Sequence, residues 1–262
     1  MAETASVNKS YFNDEASNYD AKHEKSLRQL TEAIQARLDF IGVDWVNDDD
    51  DTADGVGSKQ VRLLDYACGT GMISRALAPY TTQCVGIDLS ENMVAAYNAR
   101  AENQVSVSLR PLSSAFELAG LSKDEMFAFH GDLAVADDPN PPSLSGPEFF
   151  EFELAAVGGG FHHFADPELA AKRIVERLRP GGVLVIWDFL PHDHHQHHPH
   201  PVANTVVHHG FSKERIREIF EKAGAGKGYA LEDLGAAVVI GDGTNLESRK
   251  RRVFLARGEK AA

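Results

Sequence analysis

The 262-residue sequence predicts an α/β fold built on a doubly wound, mostly parallel sheet. Short aliphatic runs alternate with helix-like stretches along residues 61–223. Each run is continuously apolar, which is typical of parallel strands that are buried on both faces. Acids and glycines follow several of the runs, at the carboxyl edge where ligands bind in such sheets. These three observations predict a single ligand-binding domain over residues 1–262.

The elements of this fold are predicted in chain order from periodicity and capping residues. A helix over residues 16–42 comes first, and the acidic stretch at 46–59 forms an exposed loop. Strands are predicted at 61–67, 83–90, 126–133 and 149–159, and a fifth follows the Pro-Gly-Gly turn at 180–182. Helices lie at 72–80, 90–103, 167–178 and 212–224, with Ser90, Pro167, Ser212 and Gly224 as terminal signals. Residues 228–235 and 252–257 are candidate closing strands.

Composition excludes several classes of protein. The net charge of −13 argues against a nucleic-acid surface, because such affinity comes from Lys and Arg that neutralise phosphates. No apolar run reaches the ~20 residues that span a bilayer, and the polar N-terminus has neither a signal-peptide core nor transit character. Cys68 and Cys84 are too few for a disulfide framework and are not spaced as metal ligands. We expect a cytoplasmic protein that binds no nucleic acid, membrane or metal.

The stretch LLDYACGTGMISRAL, residues 63–77, raises the question of the ligand. Small residues at Ala67, Gly69 and Gly71 let a ligand lie against the backbone, and the next helix directs its free N–H groups to the same place. GTGMIS is only a partial dinucleotide motif, with Ser74 at its third position. Asp65, at the strand tip, favours a ligand that carries an ammonium group over one that carries a pyrophosphate.

Two further acids follow the next two strands. Asp88 ends the second strand, 23 residues after Asp65, where an acid accepts hydrogen bonds from both hydroxyls of a ribose. Asp132 follows the third strand and is placed to accept from an exocyclic amine such as adenine N6. An amine, a ribose and an adenine together describe S-adenosylmethionine.

The sequence resembles the class I S-adenosylmethionine-dependent methyltransferases, and within them the small-molecule branch of ubiquinone/menaquinone-type and related fungal-type enzymes. The matching stretches cover roughly residues 60–190 in the family's order: LLDYACGTG, VGIDLSENMV, HGDL, LAAVGGGFHHFADP and LRPGGVLVIWDF. The resemblance implies a Rossmann-like sheet of seven strands, the last of them antiparallel. It also implies an N-terminal helical cap (residues 1–45), a cofactor-binding core (61–190) and a His-rich lid (191–210).

The resemblance also implies a set of cofactor-binding residues. Carried over position by position, these are Asp65, Ala67, Gly69 and Gly71 at the methionine part, Asp88 at the ribose, Leu89, Met93, Asp132 and Leu133 at the adenine, Val157 and Gly158 on the far side, and Tyr19 as a closing tyrosine. Ala67 stands where many members of the family have glycine. The implied activity is methyl transfer from S-adenosylmethionine to a small-molecule acceptor.

Each of these positions also has a structural alternative. Asp65 can hydrogen-bond backbone in its own turn, Asp88 can be the N-terminal acid of the next helix, and Asp132 can belong to an ordinary turn. Leu89 and Met93 can be core residues, and Tyr19 can pack on a helix. Cys68 is interpreted as a small hydrophobic residue rather than a nucleophile. His162 and His163, after the fourth strand, are candidate general bases or structural histidines.

Three features leave alternatives open. The segment 191–201, with His208 and His209, holds eight of the twelve histidines, and a lid that selects the acceptor is a better reading than a metal site. Residues 105–119 form an insert between segments that usually join directly in the family. The insert is either a surface loop or an intron that was left in the gene model. A nucleotide-dependent oxidoreductase and a non-catalytic regulator that retains the fold remain the alternative functions. The acceptor, the atom that is methylated and the oligomeric state are not encoded in a recognisable pattern.

Overall fold

The computed structural model of the protein describes residues 2–46, 59–108, 121, 124–192, 201–239 and 250–262. Its centre is a seven-stranded sheet in the order β3-β2-β1-β4-β5-β7-β6. The strands are β1 (Arg62–Tyr66), β2 (Gln83–Asp88), β3 (Met126–His130), β4 (Phe152–Gly158), β5 (Leu178–Phe189), β6 (Lys227–Val239) and β7 (Lys250–Glu259). The pairs among β1 to β5 are parallel, and β7 runs antiparallel to both β5 and β6. The predicted sheet, with its last strand antiparallel, is confirmed.

Helices cover both faces of the sheet, as predicted from the continuous apolar strands. They are α1 (Ala2–Glu15), α2 (Tyr19–Gln35), α3 (Leu38–Ile41), α4 (Met72–Leu77), α5 (Glu91–Ser108), α6 (Pro167–Glu176) and α7 (Lys213–Ala223). One buried cluster joins the sheet to α6 and α7 through Ile174, Ile216 and Phe220. A second cluster joins the other face to α2 and α5 through Ile34 and Tyr97.

The terminal signals predicted for three helices are confirmed. Ser90 Oγ accepts the backbone N–H of Met93 at 3.1 Å at the start of α5, and Ser212 Oγ accepts that of Arg215 at 3.1 Å at the start of α7. Gly224 ends α7 in the left-handed region at φ 85°, where glycine carries no Cβ penalty. Asp166, one residue before the predicted Pro167, caps α6.

The N-terminal region differs from its prediction. The single helix predicted over 16–42 is wrong, since the chain forms α2 and α3 with a break at Ala36 and Arg37. Helix α1 was not predicted, because its sequence has no apolar stripe and Asn8 is its one buried residue among those described. The predicted Pro-Gly-Gly turn lies inside β5 as an irregularity, where the pairing with β4 shifts register.

Several predictions fall wholly or partly outside the described residues: the loop at 46–59, the histidines within 193–200 and most of the 105–119 stretch. Residues 105–108 continue the backbone of α5 beyond its predicted end at 103. Within the described parts of the chain, no helix has the length and apolar character that crossing a membrane requires.

Candidate functional site

The carboxyl ends of β1 and β2 are joined by the carboxylate of Asp88. Its Oδ2 accepts the backbone N–H of Gly69 at 2.8 Å, and its Oδ1 accepts that of Ser90 at 2.8 Å. The side chain is largely buried, and burial is the main cause that raises its pKa, while the two backbone N–H groups oppose that shift. Asp88 therefore fixes the loop after β1 relative to the start of α5. An ionised carboxylate has about four acceptor positions, so Asp88 keeps acceptor capacity for a ligand.

Asp65 lies one residue before the end of β1 and is 1% exposed. Its Oδ2 accepts both the backbone N–H of Ser74 at 3.1 Å and the Ser74 hydroxyl at 2.7 Å. The pKa of Asp65 is raised to about 7, mainly by burial and also by the nearby Asp88 charge, while the hydrogen bonds from Ser74 oppose the shift. The first turn of α4 thus has an internal acceptor for the Ser74 N–H, so the predicted set of free N–H groups is smaller than expected.

The loop from Ala67 to Gly71 departs from ordinary backbone geometry at three residues. Ala67, Gly69 and Gly71 have φ values of 55°, 53° and 88°. A Cβ on Gly69 would meet no atom within 4 Å, whereas one on Gly71 would lie 2.6 Å from the Tyr97 ring. Gly69 therefore borders open space, and Gly71 is required by the close approach of α5.

The residues predicted to surround an adenine have visible partners within the protein. Asp132 Oδ1 accepts the Tyr66 hydroxyl at 2.8 Å and the backbone N–H of Ala134 at 2.7 Å. The N–H of Leu133 donates to the same Tyr66 hydroxyl at 3.1 Å. The side chains of Leu133, Met93 and Val157 are buried, and Leu89 is half-buried. Gly158 is required by α4, because a Cβ there would lie 2.6 Å from Ile73.

The N-terminal helices lie over this edge of the sheet. Asp20, in the first turn of α2, accepts the Thr70 hydroxyl at 2.5 Å and pairs with Arg100 at 2.8 Å. Tyr19 stacks on His23 with ring centroids 4.6 Å apart. Burial raises the pKa of Tyr19 to about 12, and the charges of Asp20 and Asp88 add to the shift. The structure therefore brings Tyr19 close to Asp88 and ties α2 to the glycine loop.

A buried imidazole–carboxylate pair follows β4. His162 Nδ1 lies 2.9 Å from Oδ1 of Asp188, and the backbone N–H of His162 donates to Oδ2 at 3.0 Å. Asp188, in β5, is fully buried and also accepts the backbone N–H of Phe189 at 2.7 Å. The carbonyl of His162 accepts the N–H groups of Val207 and His208, which join the 201–210 segment to this turn.

His163 has a different environment. Its Nδ1 lies 2.8 Å from the carbonyl oxygen of the buried Thr205. The pKa of His163 is lowered to about 3, mainly by burial and also by the neighbouring His162. Helix α1 contacts this turn, because Asn8 Nδ2 donates to the His163 carbonyl at 3.0 Å and Phe12 packs edge-on against the His163 ring.

Sequence reasoning missed Asp188, Asn8 and Asp20. Asp188 carried a usable signal, since it is an acid near the end of an aliphatic strand, as Asp65 and Asp88 are. Asn8 and Asp20 carried none, because their roles depend on where the N-terminal helices lie. Both cysteines are free and buried, and burial raises the pKa of each thiol. Among the described residues, no group of three or more His, Cys, Asp and Glu is arranged to hold a metal ion.

Comparisons with known proteins identify relatives of the chain. A family model described as a methyltransferase domain matches residues 22–226. An uncharacterized methyltransferase of Schizosaccharomyces pombe is 29% identical over 207 residues, which are 76% of this chain and 66% of that protein. A chloroplastic uncharacterized methyltransferase of Arabidopsis thaliana is 30% identical over 132 residues, which are 49% of this chain and 30% of that protein. The matched region thus spans two thirds or less of the length of these relatives.

Solved structures show the same fold at low sequence identity. A chain from the complex between the Haloferax volcanii Trm112 methyltransferase activator and a methyltransferase is 17% identical, with a TM-score of 0.61 and coverage of 96% of this chain and 98% of that one. Haemonchus contortus phosphoethanolamine N-methyltransferase 2, in complex with S-adenosyl-L-methionine, is 17% identical, with a TM-score of 0.51 and coverage of 79% and 50%.

Proposed function

Because the chain belongs to the methyltransferase domain family, we propose that it transfers a methyl group from S-adenosylmethionine to a small-molecule acceptor. The observation that carries the proposal is the pairing of Asp88 with Gly69 at the carboxyl edge of the sheet. A carboxylate at the end of β2 holds, at 2.8 Å, a glycine on which a Cβ would meet no atom within 4 Å. An acid beside open, side-chain-free backbone fits a ligand that carries a diol and approaches the main chain closely.

The residues present fit this cofactor. Asp88 would accept hydrogen bonds from the ribose hydroxyls with its remaining lone pairs, and Gly69 would border the ligand through bare backbone. Asp65 would complement an ammonium group, and it lies close enough to Asp88 for the Asp88 charge to raise the pKa of Asp65. The remaining cofactor residues of the proposal are Tyr19, Ala67, Gly71, Leu89, Met93, Asp132, Leu133, Val157 and Gly158. When bound, S-adenosylmethionine supplies an activated methyl group on a sulfonium.

The chain itself would supply placement and a dry pocket. Helices α1 and α2 cover the edge through Asn8, Asp20 and their partners, which would keep water from the bound reactants. Alignment and the exclusion of water account for much of the acceleration in reactions of this kind. Of the two histidines that follow β4, His162 is the proposed proton-handling group, and His163 lies beside it.

The proposal also covers the acceptor, the cellular location and the division of the chain into regions. The acceptor is a small molecule, and the location is cytoplasmic. The single domain over residues 1–262 has its cap at 1–45, its cofactor-binding core at 61–190 and its lid at 191–210. The described part of that lid packs on the histidine turn through Thr205 and Val207. Acceptor selection by this segment is part of the same proposal.

Calorimetric titration tests the proposal directly. Purified protein is titrated with S-adenosylmethionine, S-adenosylhomocysteine and NADH. We expect the first two to bind and NADH not to bind. Asp88→Ala removes charged hydrogen bonds worth about 1.5–3 kcal/mol, so binding of both sulfur ligands should weaken by roughly ten- to one-hundred-fold.

The matched control removes a carboxylate elsewhere. Asp44 has an exposed side chain that pairs with Lys59, and Asp44→Ala should bind as the wild type does. Binding of NADH alone would favour the alternative that the protein is a nucleotide-dependent oxidoreductase. Cofactor binding without turnover on any acceptor would favour the regulator. Equal binding by Asp88→Ala and wild type would remove Asp88 from the site.

A further inference from the structure

The pair formed by His162 and Asp188 defines the proton state of the imidazole. A carboxylate only accepts, so the His162 Nδ1 that lies 2.9 Å from Asp188 must carry the proton. In the neutral ring the lone pair therefore sits on Nε2. No described residue forms a hydrogen bond with Nε2. This atom is also not one of the buried side-chain polar atoms that lack a hydrogen-bond partner in the described part of the chain. Within the described part of the chain, the pair thus presents a proton acceptor that no other group uses.

We propose that His162 takes the proton from the methyl acceptor at Nε2, with Asp188 as its positioning residue, and that the acceptor is a hydroxyl or a thiol. This inference rests on the proposed function. The acceptor's O–H or S–H bond breaks, its electron pair stays on oxygen or sulfur, and the proton forms an N–H bond at Nε2. Asp188 lies beside the resulting imidazolium and stabilises its charge. An amine that has lost its extra proton to water attacks through its own lone pair and sheds a proton only after the C–N bond forms, so a base in the bond-forming step is required for a hydroxyl or a thiol.

Asp188 is built to hold the ring in one orientation. It accepts the Nδ1–H of His162 and the backbone N–H groups of His162 and Phe189, so both of its oxygens are engaged. The His162 ring contacts the His163 ring, at a centroid distance of 4.0 Å, and the Phe189 ring, at 4.9 Å. Hydrogen bonds and ring contacts together fix both the tautomer and the plane of the imidazole, which are the requirements for a general base.

His163 does not meet the same requirements. Its Nδ1 faces a neutral carbonyl rather than a carboxylate. Burial holds its pKa at about 3, so it is a weak base at neutral pH. Its contacts with Thr205, Asn8 and Phe12 instead make it a packing residue that joins α1 and the 201–210 segment to the turn. Among the described residues, the charged or titratable groups around His162 are Asp188, His163, His192 and His208.

Nitrogen NMR of the imidazoles tests the assignment without any turnover. In ¹⁵N-histidine-labelled wild-type protein, neutral His162 should show a protonated Nδ1 and an unprotonated Nε2. Asp188→Asn should raise the share of the Nε2–H form, whereas Asp166→Asn, a matched change at the cap of α6, should not. A wild-type His162 with its proton on Nε2 would overturn the proposal, whether or not the protein binds S-adenosylmethionine.

Kinetics test the same residue in the reaction. The full chain is incubated with methyl-labelled S-adenosylmethionine and a panel of small phenols, thiols and amines. Labelled phenols or thiols are expected, and His162→Gln should lower kcat by about 10²–10⁴-fold with little change in KM. Asp188→Asn should lower kcat in the same direction, and Asp166→Asn should leave it unchanged.

The outcomes separate the two proposals. Failure of the wild type to bind S-adenosylmethionine in the calorimeter rejects the proposed function, while the tautomer measurement still decides the state of His162. Turnover of amines alone, or a kcat that survives His162→Gln, rejects the role of His162 and leaves the methyltransferase function standing.

Discussion

Ala67 is held in a conformation that side chains rarely adopt. Its φ of 55° lies in the left-handed region, which costs a residue with a Cβ about 1–2 kcal/mol. That Cβ also approaches the turn after β4, since a Cβ added to Gly160 would lie 2.9 Å from it. Because position 67 is alanine rather than glycine, its Cβ makes a glycine necessary at position 160. The φ of Gly160 is −106°, so its backbone conformation alone does not require glycine.

We predict that the stability effects of Ala67→Gly and Gly160→Ala are coupled. Ala67→Gly should stabilise the protein by up to about 1 kcal/mol, because it relieves φ strain at some cost in unfolded-state entropy. Gly160→Ala should cost about 1–3 kcal/mol alone and much less in the Ala67→Gly background. Denaturant unfolding of the four proteins measures this cycle. Gly158→Ala, which meets Ile73 instead, should add independently, and equal costs of Gly160→Ala in both backgrounds would disprove the contact.

Asp65 gives the fold a pH dependence of known sign. Burial raises its pKa to about 7, whereas the unfolded value is about 3.9. Between these values the folded state holds the proton that the unfolded state has released. The contribution of Asp65 is therefore most favourable below about pH 4 and is lost as the pH rises through 7.

We predict that Asp65→Asn becomes more stable relative to wild type as the pH rises from about 4 to 7. The slope should approach, and not exceed, about 1.4 kcal/mol per pH unit. One amide oxygen can still accept both groups of Ser74, which bond to a single oxygen in the wild type. Urea unfolding across this pH range, with the exposed Asp44→Asn as control, measures the difference. A difference that does not vary with pH would show that Asp65 is ionised throughout.

At the scale of elements, the N-terminal ends of α5, α6 and α7 could be predicted because short-range signals define them. Ser90, Asp166 and Ser212 each accept an N–H three residues later. Helix α1 could not be predicted, because its fixing contacts are polar and made to residues far along the chain. Asn13 Oδ1 accepts the Ser90 hydroxyl at 2.6 Å and the backbone N–H of Asn92 at 3.1 Å. No local pattern of α1 carries that information.

We predict that Asn13→Ala loosens α1 without unfolding the sheet. The change removes two acceptor contacts to the start of α5, each worth about 0.5–1.5 kcal/mol. Hydrogen exchange should then quicken in α1 and stay unchanged in β1, β4 and β5. Asp14→Ala, at the exposed neighbouring position, is the control. Unchanged exchange in α1 would mean that its contacts to His163, rather than to α5, hold it in place.

At the scale of the molecule, the type of sheet could be predicted better than the cap. Continuous apolar strands between helices dictate a doubly wound sheet, and its carboxyl edge follows from that topology. The acids Asp65 and Asp88 could therefore be located from sequence. Their partners could not, since Ser74, Gly69 and Ser90 are brought to them only by the folded loops. Asp188 could have been found by the same strand-tip reasoning applied to β5.

The arrangement of cap and sheet predicts which segments a bound ligand will protect from hydrogen exchange. If S-adenosylhomocysteine binds beside Asp88 and Gly69, it lies under α1 and α2, which are tied to that edge through Asn13 and Asp20. Hydrogen exchange with and without the ligand should then show new protection in α1, α2 and residues 67–71 and 88–92, together with a concentration-dependent rise in Tm. Helices α6 and α7, which pack on the opposite face through Ile174 and Ile216, should gain little beyond the general stabilisation. Protection centred on α6 and α7 would place the ligand elsewhere on the fold and would remove the carboxyl edge of β1 and β2 as the cofactor site.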